Sequence, residues 1–141
     1  MSNLLFSKGK VAKLLDITPR TVSHYTEEGV IIPEQEPGDD RKRRLYSENN
    51  LFEFMLVLKL KENNFDLQTI KQILSMLQRG TRVKGPGNEI LVIYDGHTEH
   101  GTAKLTSTDK NLSYKVTLKN YSSVVVIDIS ELREKLARIL M

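Results

Sequence analysis

The spacing of apolar residues at the start of the chain predicts two short helices. The first is capped by Ser7, turns Val11, Leu14 and Leu15 inward and ends near Asp16. The second begins at Thr18, because a hydroxyl at the N-cap followed by proline at the first helical position favours a helix start. Gly29 ends this second helix. Two helices joined by a short turn form a helix-turn-helix.

A hairpin and two further helices are predicted next. An apolar triplet, the turn sequence EPGDD and the segment RKRRLYS predict two short strands with a tip between them, a wing over residues 31–46. Ser47 caps a third helix that is apolar on nearly all sides, which is typical of a buried helix. Asp66 caps a fourth helix with one apolar face. The pattern therefore predicts a winged helix-turn-helix of four helices.

The periodicity changes after residues 79–88, which contain three glycines and one proline and are typical of a linker. The runs ILVIY and VVVIDI predict strands covered on both faces. TAKLTS and SYKVTLK alternate between apolar and polar residues, as half-exposed strands do. A last helix is predicted from Ser130 to Met141. The fold class is thus α+β, with a small four-stranded β module and a C-terminal helix after the helical part.

Composition narrows the class of protein. Charged residues make up 28% and hydrophobic residues 39% of the 141 positions, a globular balance. The absence of cysteine excludes disulfides and thiolate chemistry. No apolar run approaches the ~20 residues that span a bilayer, so we expect a cytoplasmic protein with no membrane partner. The whole net charge of +3 falls within residues 1–84.

Four consecutive cations in RKRRLYS make the wing a candidate DNA contact. A helix-turn-helix inserts its second helix in the major groove, and cations on a wing beside it neutralise phosphates and release counterions. Strand alternation is expected to turn Leu45 toward the core and to place Arg44 and Tyr46 on the opposite side. In isolation, such a run is also typical of a solvated surface. The candidate wing contacts are Arg41, Lys42, Arg43, Arg44 and Tyr46.

Three segments carry a more specific signal because they occur in a fixed order. They are VAKLLDITPRTVSHYTEEGVIIP, G-x-x-R-K-R-R-L-Y-S and NNFDLQTIKQIL. Together they resemble the helix-turn-helix, first wing and second wing of the DNA-binding domain of MerR-family transcriptional regulators, over residues 6–78. The resemblance implies a recognition helix over residues 18–28. Its candidate DNA contacts are Thr18, Arg20, Thr21, His24 and Tyr25.

The chain departs from the family pattern at several positions. Ser23 and His24 stand where the family usually has a basic and an aromatic residue, and Thr26 stands where it has an acid. We expect weaker phosphate binding at position 23, compensated by the wing cations. Asp39 and Asp40 lengthen the wing, and we expect them to point away from DNA or to pair with neighbouring cations.

The resemblance implies a dimeric, sequence-specific regulator that distorts promoter DNA for RNA polymerase, with no cofactor and no enzymatic activity. The long dimerisation helix of the family is missing here, so the second half is expected to supply the dimer contact. We assign a MerR-like DNA-binding domain to residues 1–80, a linker to 81–89, and a β module with its C-terminal helix, for dimerisation or partner binding, to 90–141.

Two other hypotheses remain open. An architectural or partition protein would use the same surface with little preference for sequence. The loop DGHTEHG, with His97, Glu99 and His100, has residue types that bind divalent metals and would suit a metal-dependent enzyme. Such a composition is also typical of a polar hairpin loop, and a second ligand cluster is not evident in the sequence.

Overall fold

The computed structural model describes residues 4–38, 43–78, 83–85, 88–94, 105–107, 114–116 and 124–141, with side chains described for 4–38, 43–75 and 127–141. The chain divides into two compact units. The first comprises Met1–Lys71 together with Glu134–Met141, and the second comprises Gln72–Arg133.

Five helices and five strands are formed in the described residues. The helices are α1 (Lys8–Leu15), α2 (Pro19–Glu27), α3 (Glu48–Glu62), α4 (Leu67–Gln78) and α5 (Ile129–Ile139). The strands are β1 (Val83–Gly85), β2 (Asn88–Tyr94), β3 (Leu105–Ser107), β4 (Tyr114–Val116) and β5 (Val124–Asp128). The predicted helix-turn-helix and the helices after it are confirmed. None of these helices is long and apolar enough to cross a membrane.

Side-chain caps fix where the first helices begin. The hydroxyl oxygen of Ser7 accepts a hydrogen bond from the backbone N–H of Lys10 at 3.2 Å, which satisfies one of the free donors at the start of α1. Thr18 caps α2 in the same way, and Pro19 occupies its first position. Asp16 ends α1 in the left-handed region with φ of 56°. The chain therefore turns sharply from α1 into α2.

Helix α3 supplies much of the buried core of the first unit. It is buried on most of its sides, as its all-round apolarity predicted, and its buried apolar residues are Leu51, Phe52, Phe54, Leu56, Val57 and Leu60. Burying one such side chain stabilises a fold by about 1.5–3 kcal/mol. The other elements contribute fully buried residues such as Val11, Val22 and Ile31. This core holds α1 and α2 in fixed positions.

The prediction of two wing strands is wrong for the residues that the structure describes. Instead of a ladder, an isolated bridge joins Gln35 and Leu45, whose backbone groups exchange hydrogen bonds of 3.1 and 2.9 Å. In an antiparallel pair the next such exchanges fall two residues away, at Pro33 and Pro37 on this strand. Proline has no N–H to donate, so neither Pro33 nor Pro37 can complete the exchange of two hydrogen bonds that would continue the ladder from this bridge.

The prediction of a single four-stranded β module is also wrong. The second unit holds a three-stranded antiparallel sheet in the order β1–β2–β5 and a separate two-stranded antiparallel sheet of β3 and β4. The additional strand, β1, lies in the segment predicted as a linker, where Gly85 pairs with Asn88. Glycine and proline favour tight connections between paired strands as much as they favour linkers.

Candidate nucleic-acid interface

Helix α2 has one face in the core and one face in solvent. Val22, Tyr25 and Thr26 are buried, whereas Arg20 and His24 are exposed. The candidate residue Thr18 is exposed and Thr21 is half-buried at the start of the helix. The predicted contacts on α2 therefore divide into an outward group of Thr18, Arg20, Thr21 and His24 and an inward residue, Tyr25.

The hydroxyl groups of Thr18 and Thr21 are hydrogen-bonded to each other. Their oxygens lie 2.9 Å apart, and Thr18 Oγ1 also accepts the backbone N–H of Thr21 at 3.1 Å. One O–H of the pair makes the mutual hydrogen bond, whichever residue donates it. The other O–H is not used within the pair and lies beside the positive N-terminal end of α2, where an acceptor such as a phosphate oxygen is favoured.

Tyr25 belongs mainly to the core. Its side chain is 7% exposed, and its ring lies 5.3 Å from that of His24 between centroids. Burial raises the pKa of the Tyr25 phenol above its ordinary value, because the charged phenolate loses hydration there. The Tyr25 ring, although a candidate DNA contact, thus packs in the core and stabilises α2 there.

The predicted orientation of the last wing residues is inverted. Tyr46 is 1% exposed and lies in the core, whereas Leu45 is half-buried. Tyr46 exchanges backbone hydrogen bonds of 2.7 and 2.8 Å with Phe6, and its ring packs edge-on against Phe54 at 5.7 Å. Its hydroxyl lies 2.8 Å from Thr26 Oγ1. A buried tyrosine removes more apolar surface from water than leucine does and keeps a partner for its hydroxyl, so it takes the core position.

The two described wing cations are accessible. Arg43 is exposed, and Arg44 is paired with Glu36 through a contact of 3.2 Å between Nε and Oε2. The predicted contacts Arg41 and Lys42 lie outside the described residues.

A concavity of about 400 Å³ joins three elements of the first unit. Its lining consists of Ser7, Lys8 and Gly9 at the start of α1, Ser23 on α2, and Pro37, Arg43, Arg44 and Tyr46 of the wing. The described residues that line it include three cations and no carboxylate. The N-terminal end of a helix adds partial positive charge and free N–H groups. The concavity therefore has the size and charge to receive a phosphate group.

Sequence reasoning missed the contribution of α1 to this concavity. The sequence marks Ser7 only as a helix cap, and no pattern in it singles out Lys8. Their one sequence signal is the cap itself, which marks a helix N-terminus and hence a place where anions are favoured.

The sequence-predicted metal site cannot be located in the structure. DGHTEHG, with His97, Glu99 and His100, lies outside the described residues. Within the described part of the chain, no group of three or more histidine, aspartate or glutamate side chains is placed to hold a metal ion.

The family assignment follows from comparison with known families. The model of the MerR HTH family regulatory protein matches residues 6–77, which is more than half of the 141-residue chain. The chain belongs to the MerR HTH family. The matched segment contains α1, α2 and α3, nearly all of α4, and every described residue that lines the concavity. This confirms the resemblance seen in the sequence and makes the MerR-family chain a DNA-binding transcriptional regulator. No curated protein matches it.

Proposed function

We propose that this chain acts as a homodimer that binds a specific DNA sequence and regulates transcription from the bound promoter. In this proposal α2 enters the major groove and the concavity holds a backbone phosphate beside it. The observation that carries the proposal is the concavity, because it gathers Lys8, Arg43 and Arg44 next to the recognition helix. Cations that neutralise phosphates supply affinity, and side chains at base edges supply specificity.

The outward face of α2 supports a groove-reading role for the helix. Arg20 lies in the first turn of the helix and is exposed, and arginine commonly donates two hydrogen bonds to guanine in the major groove. His24 lies one turn further along and is also exposed. The free O–H of the Thr18 and Thr21 pair suits a phosphate at the groove edge. Side chains that contact bases and groups that contact phosphates would thus lie on one surface.

Dimerisation and DNA distortion are proposed from the family assignment. A twofold dimer presents two recognition helices to the halves of an inverted repeat. Distorting the promoter would bring its elements into register for RNA polymerase, and bending a site costs on the order of 1–6 kcal/mol, which added contacts offset. Residues 90–141 would supply the dimer contact, and the protein would reside in the cytoplasm on the nucleoid.

The test is selection of bound fragments from genomic DNA, followed by footprinting at two salt concentrations. We expect protected sites with twofold symmetry and enhanced cleavage at the centre where the DNA is distorted. A ratio of specific to nonspecific affinity close to one would instead favour an architectural protein. Sedimentation as a monomer at micromolar concentration, both free and with DNA, would contradict the dimer.

The role of the concavity is tested by charge removal with a matched control. Arg44→Ala is expected to weaken binding to all sequences and to reduce the slope of log affinity against log salt by about one unit. Lys61→Ala removes one cation from the exposed end of α3, outside the concavity lining, and is expected to leave that slope nearly unchanged. Equal slopes for Arg44→Ala and the unmodified protein would remove the wing from the proposal.

A further inference from the structure

We infer that the buried hydroxyl pair of Thr26 and Tyr46 is a positioning link that sets the wing cations at a fixed distance from the recognition helix. The inference rests on the proposed DNA-binding function. It assigns Tyr46 a role different from direct phosphate contact, and it gives Thr26 a role that the sequence did not reveal.

The direction of the hydrogen bonds follows from counting protons. Thr26 has one hydroxyl proton, and it donates this proton to the backbone carbonyl of Val22 at 2.8 Å. The 2.8 Å contact between Thr26 Oγ1 and the Tyr46 hydroxyl therefore has Tyr46 as the donor. The result is a continuous chain from the Tyr46 O–H through the Thr26 hydroxyl to the backbone of α2.

The link is shielded from solvent. Thr26 is 8% exposed and Tyr46 is 1% exposed, so water has little access to replace either partner. A hydrogen bond in such surroundings is stronger electrostatically than one in water, and an unpaired hydroxyl left there is destabilising. The pair therefore holds one geometry rather than several.

The remaining contacts of Tyr46 make the link effective. Its backbone is bridged to Phe6 just before α1, and its ring packs against Phe54 of α3. Arg44 is only two residues away along the chain. The position of Tyr46 thus controls where the wing cations stand, and the bond to Thr26 ties that position to α2.

The spacing between α2 and the wing cations matters because both must contact the same DNA molecule at once. Once α2 occupies the groove, a wing held at the correct spacing meets its phosphates without a further loss of conformational freedom. Without the link, we expect α2 to bind while Arg43 and Arg44 engage phosphates only part of the time. The slope of log affinity against log salt should then fall by up to about two units, one for each cation.

The experiment compares Thr26→Val, Thr26→Ser and the double variant Thr26→Val with Tyr46→Phe. Valine has nearly the shape of threonine but lacks the hydroxyl, whereas serine keeps it. Thr26→Val leaves the Tyr46 hydroxyl buried without its partner and should lower the thermal midpoint. The double variant removes both polar groups, so most of that stability should return. Thermal unfolding and the salt dependence of binding to a duplex selected from genomic DNA are measured for each.

We expect Thr26→Ser to keep the salt slope of the unmodified protein. Thr26→Val and the double variant should both have a slope lower by one to two units, roughly, and an affinity about tenfold weaker at moderate salt. If the double variant regains its thermal midpoint but keeps the lower salt slope, the loss of slope comes from lost positioning and not from a smaller fraction of folded protein. Val57→Ala, which removes buried apolar volume from α3 and changes neither hydroxyl of the link, should lower the thermal midpoint and keep the slope.

Two different results would contradict the positioning link and the proposed DNA binding. If the double variant regains the slope together with its stability, or never loses it, the positioning link is refuted while DNA binding stands. If the unmodified protein binds no duplex DNA in a salt-dependent manner, the proposed function fails, and the positioning role fails with it.

Discussion

The Nε atom of Arg44 lies 3.2 Å from Oε2 of Glu36, so this wing cation already has an anionic partner in the free protein. Both side chains are at least one-third exposed, and an ion pair at such a surface contributes only about 0–1 kcal/mol to stability. A phosphate oxygen that approaches Arg44 must displace the Glu36 carboxylate or accept its repulsion. If Arg44 contacts a phosphate as proposed, Glu36 competes with that contact while it contributes little to the stability of the fold.

Glu36→Gln is expected to strengthen DNA binding. The change removes the competing charge beside Arg44 and leaves the guanidinium available to phosphate, and we expect affinity to rise about three- to tenfold at low salt. Titration of a labelled duplex at two salt concentrations measures the effect, which should shrink as salt rises.

The control for this change is Glu62→Gln. Glu62 is an exposed carboxylate paired with Lys59 at the end of α3, outside the lining of the concavity. Glu62→Gln changes the net charge by the same amount as Glu36→Gln does. If both variants bind with equally raised affinity, net charge rather than the Arg44 pair accounts for the change.

Arg20→Ala is expected to change which sequences the protein prefers. If Arg20 meets a base edge, its loss costs about 1–3 kcal/mol at the correct base and less at other bases, so specificity at one position of each half-site relaxes. Binding to a library of single-base variants of the selected site measures this pattern. Arg44→Ala provides the contrast, since it should weaken all sites alike. A uniform loss for Arg20→Ala would place Arg20 on the phosphates instead.

Asn50→Ala is expected to destabilise the first unit strongly. The buried Asn50 side chain accepts the backbone N–H groups of Glu34 and Ser47, each at 3.0 Å. It also donates to the Ile32 carbonyl at 2.9 Å and to Glu53 at 3.0 Å. Alanine would remove all four of these part-buried or buried hydrogen bonds, and we expect a loss of about 2–4 kcal/mol, measured by urea unfolding.

The neighbouring Asn49 offers a matched control. It is exposed at the start of the same helix, whereas Asn50 is 4% exposed. Asn49→Ala is expected to change stability by less than about 0.5 kcal/mol. Similar unfolding midpoints for the two variants would mean that the contacts of Asn50 contribute little.

Stability is expected to fall at alkaline pH in a way that depends on Tyr25. Burial raises the pKa of Tyr25 in the folded protein above the ordinary value of 10.0, so between the two pKa values the folded state binds more protons than the unfolded state. This contribution to stability is fully present below about pH 10 and is lost as pH rises through the raised pKa. Urea unfolding of the unmodified protein and of Tyr25→Phe, from about pH 9 to pH 11, measures it. The free energy of unfolding should fall more steeply with pH in the unmodified protein, and parallel profiles would contradict the prediction.

The sequence predicted local features such as helix caps correctly, but it did not predict which residues meet across the fold. Ser7, Thr18 and Ser47 cap helices where predicted, because capping depends on a few neighbouring residues. The prediction of the Tyr46 orientation is wrong because strand alternation applies to a continuous ladder, and Pro33 and Pro37 interrupt one on both sides of the Gln35–Leu45 bridge. A bridge to Phe6, forty residues earlier in the chain, decides the orientation instead.

The concavity escaped sequence reasoning for the same reason. Lys8 and Arg43 line one site but lie far apart in the chain, and no periodic pattern relates them. Only the core packing of the first unit brings the start of α1 beside the wing. By contrast, the order of three family-typical segments was visible in the sequence and led to the correct family.

The division of the chain also bears on how the protein is made. The first unit is discontinuous, because Glu134–Met141 belong to it together with Met1–Lys71. Ribosomes synthesise from the N-terminus, so the entire second unit is translated before this last portion. Leu136, which is buried, emerges only then. A nascent chain halted after Arg133 would thus carry α2 without the complete core of its unit.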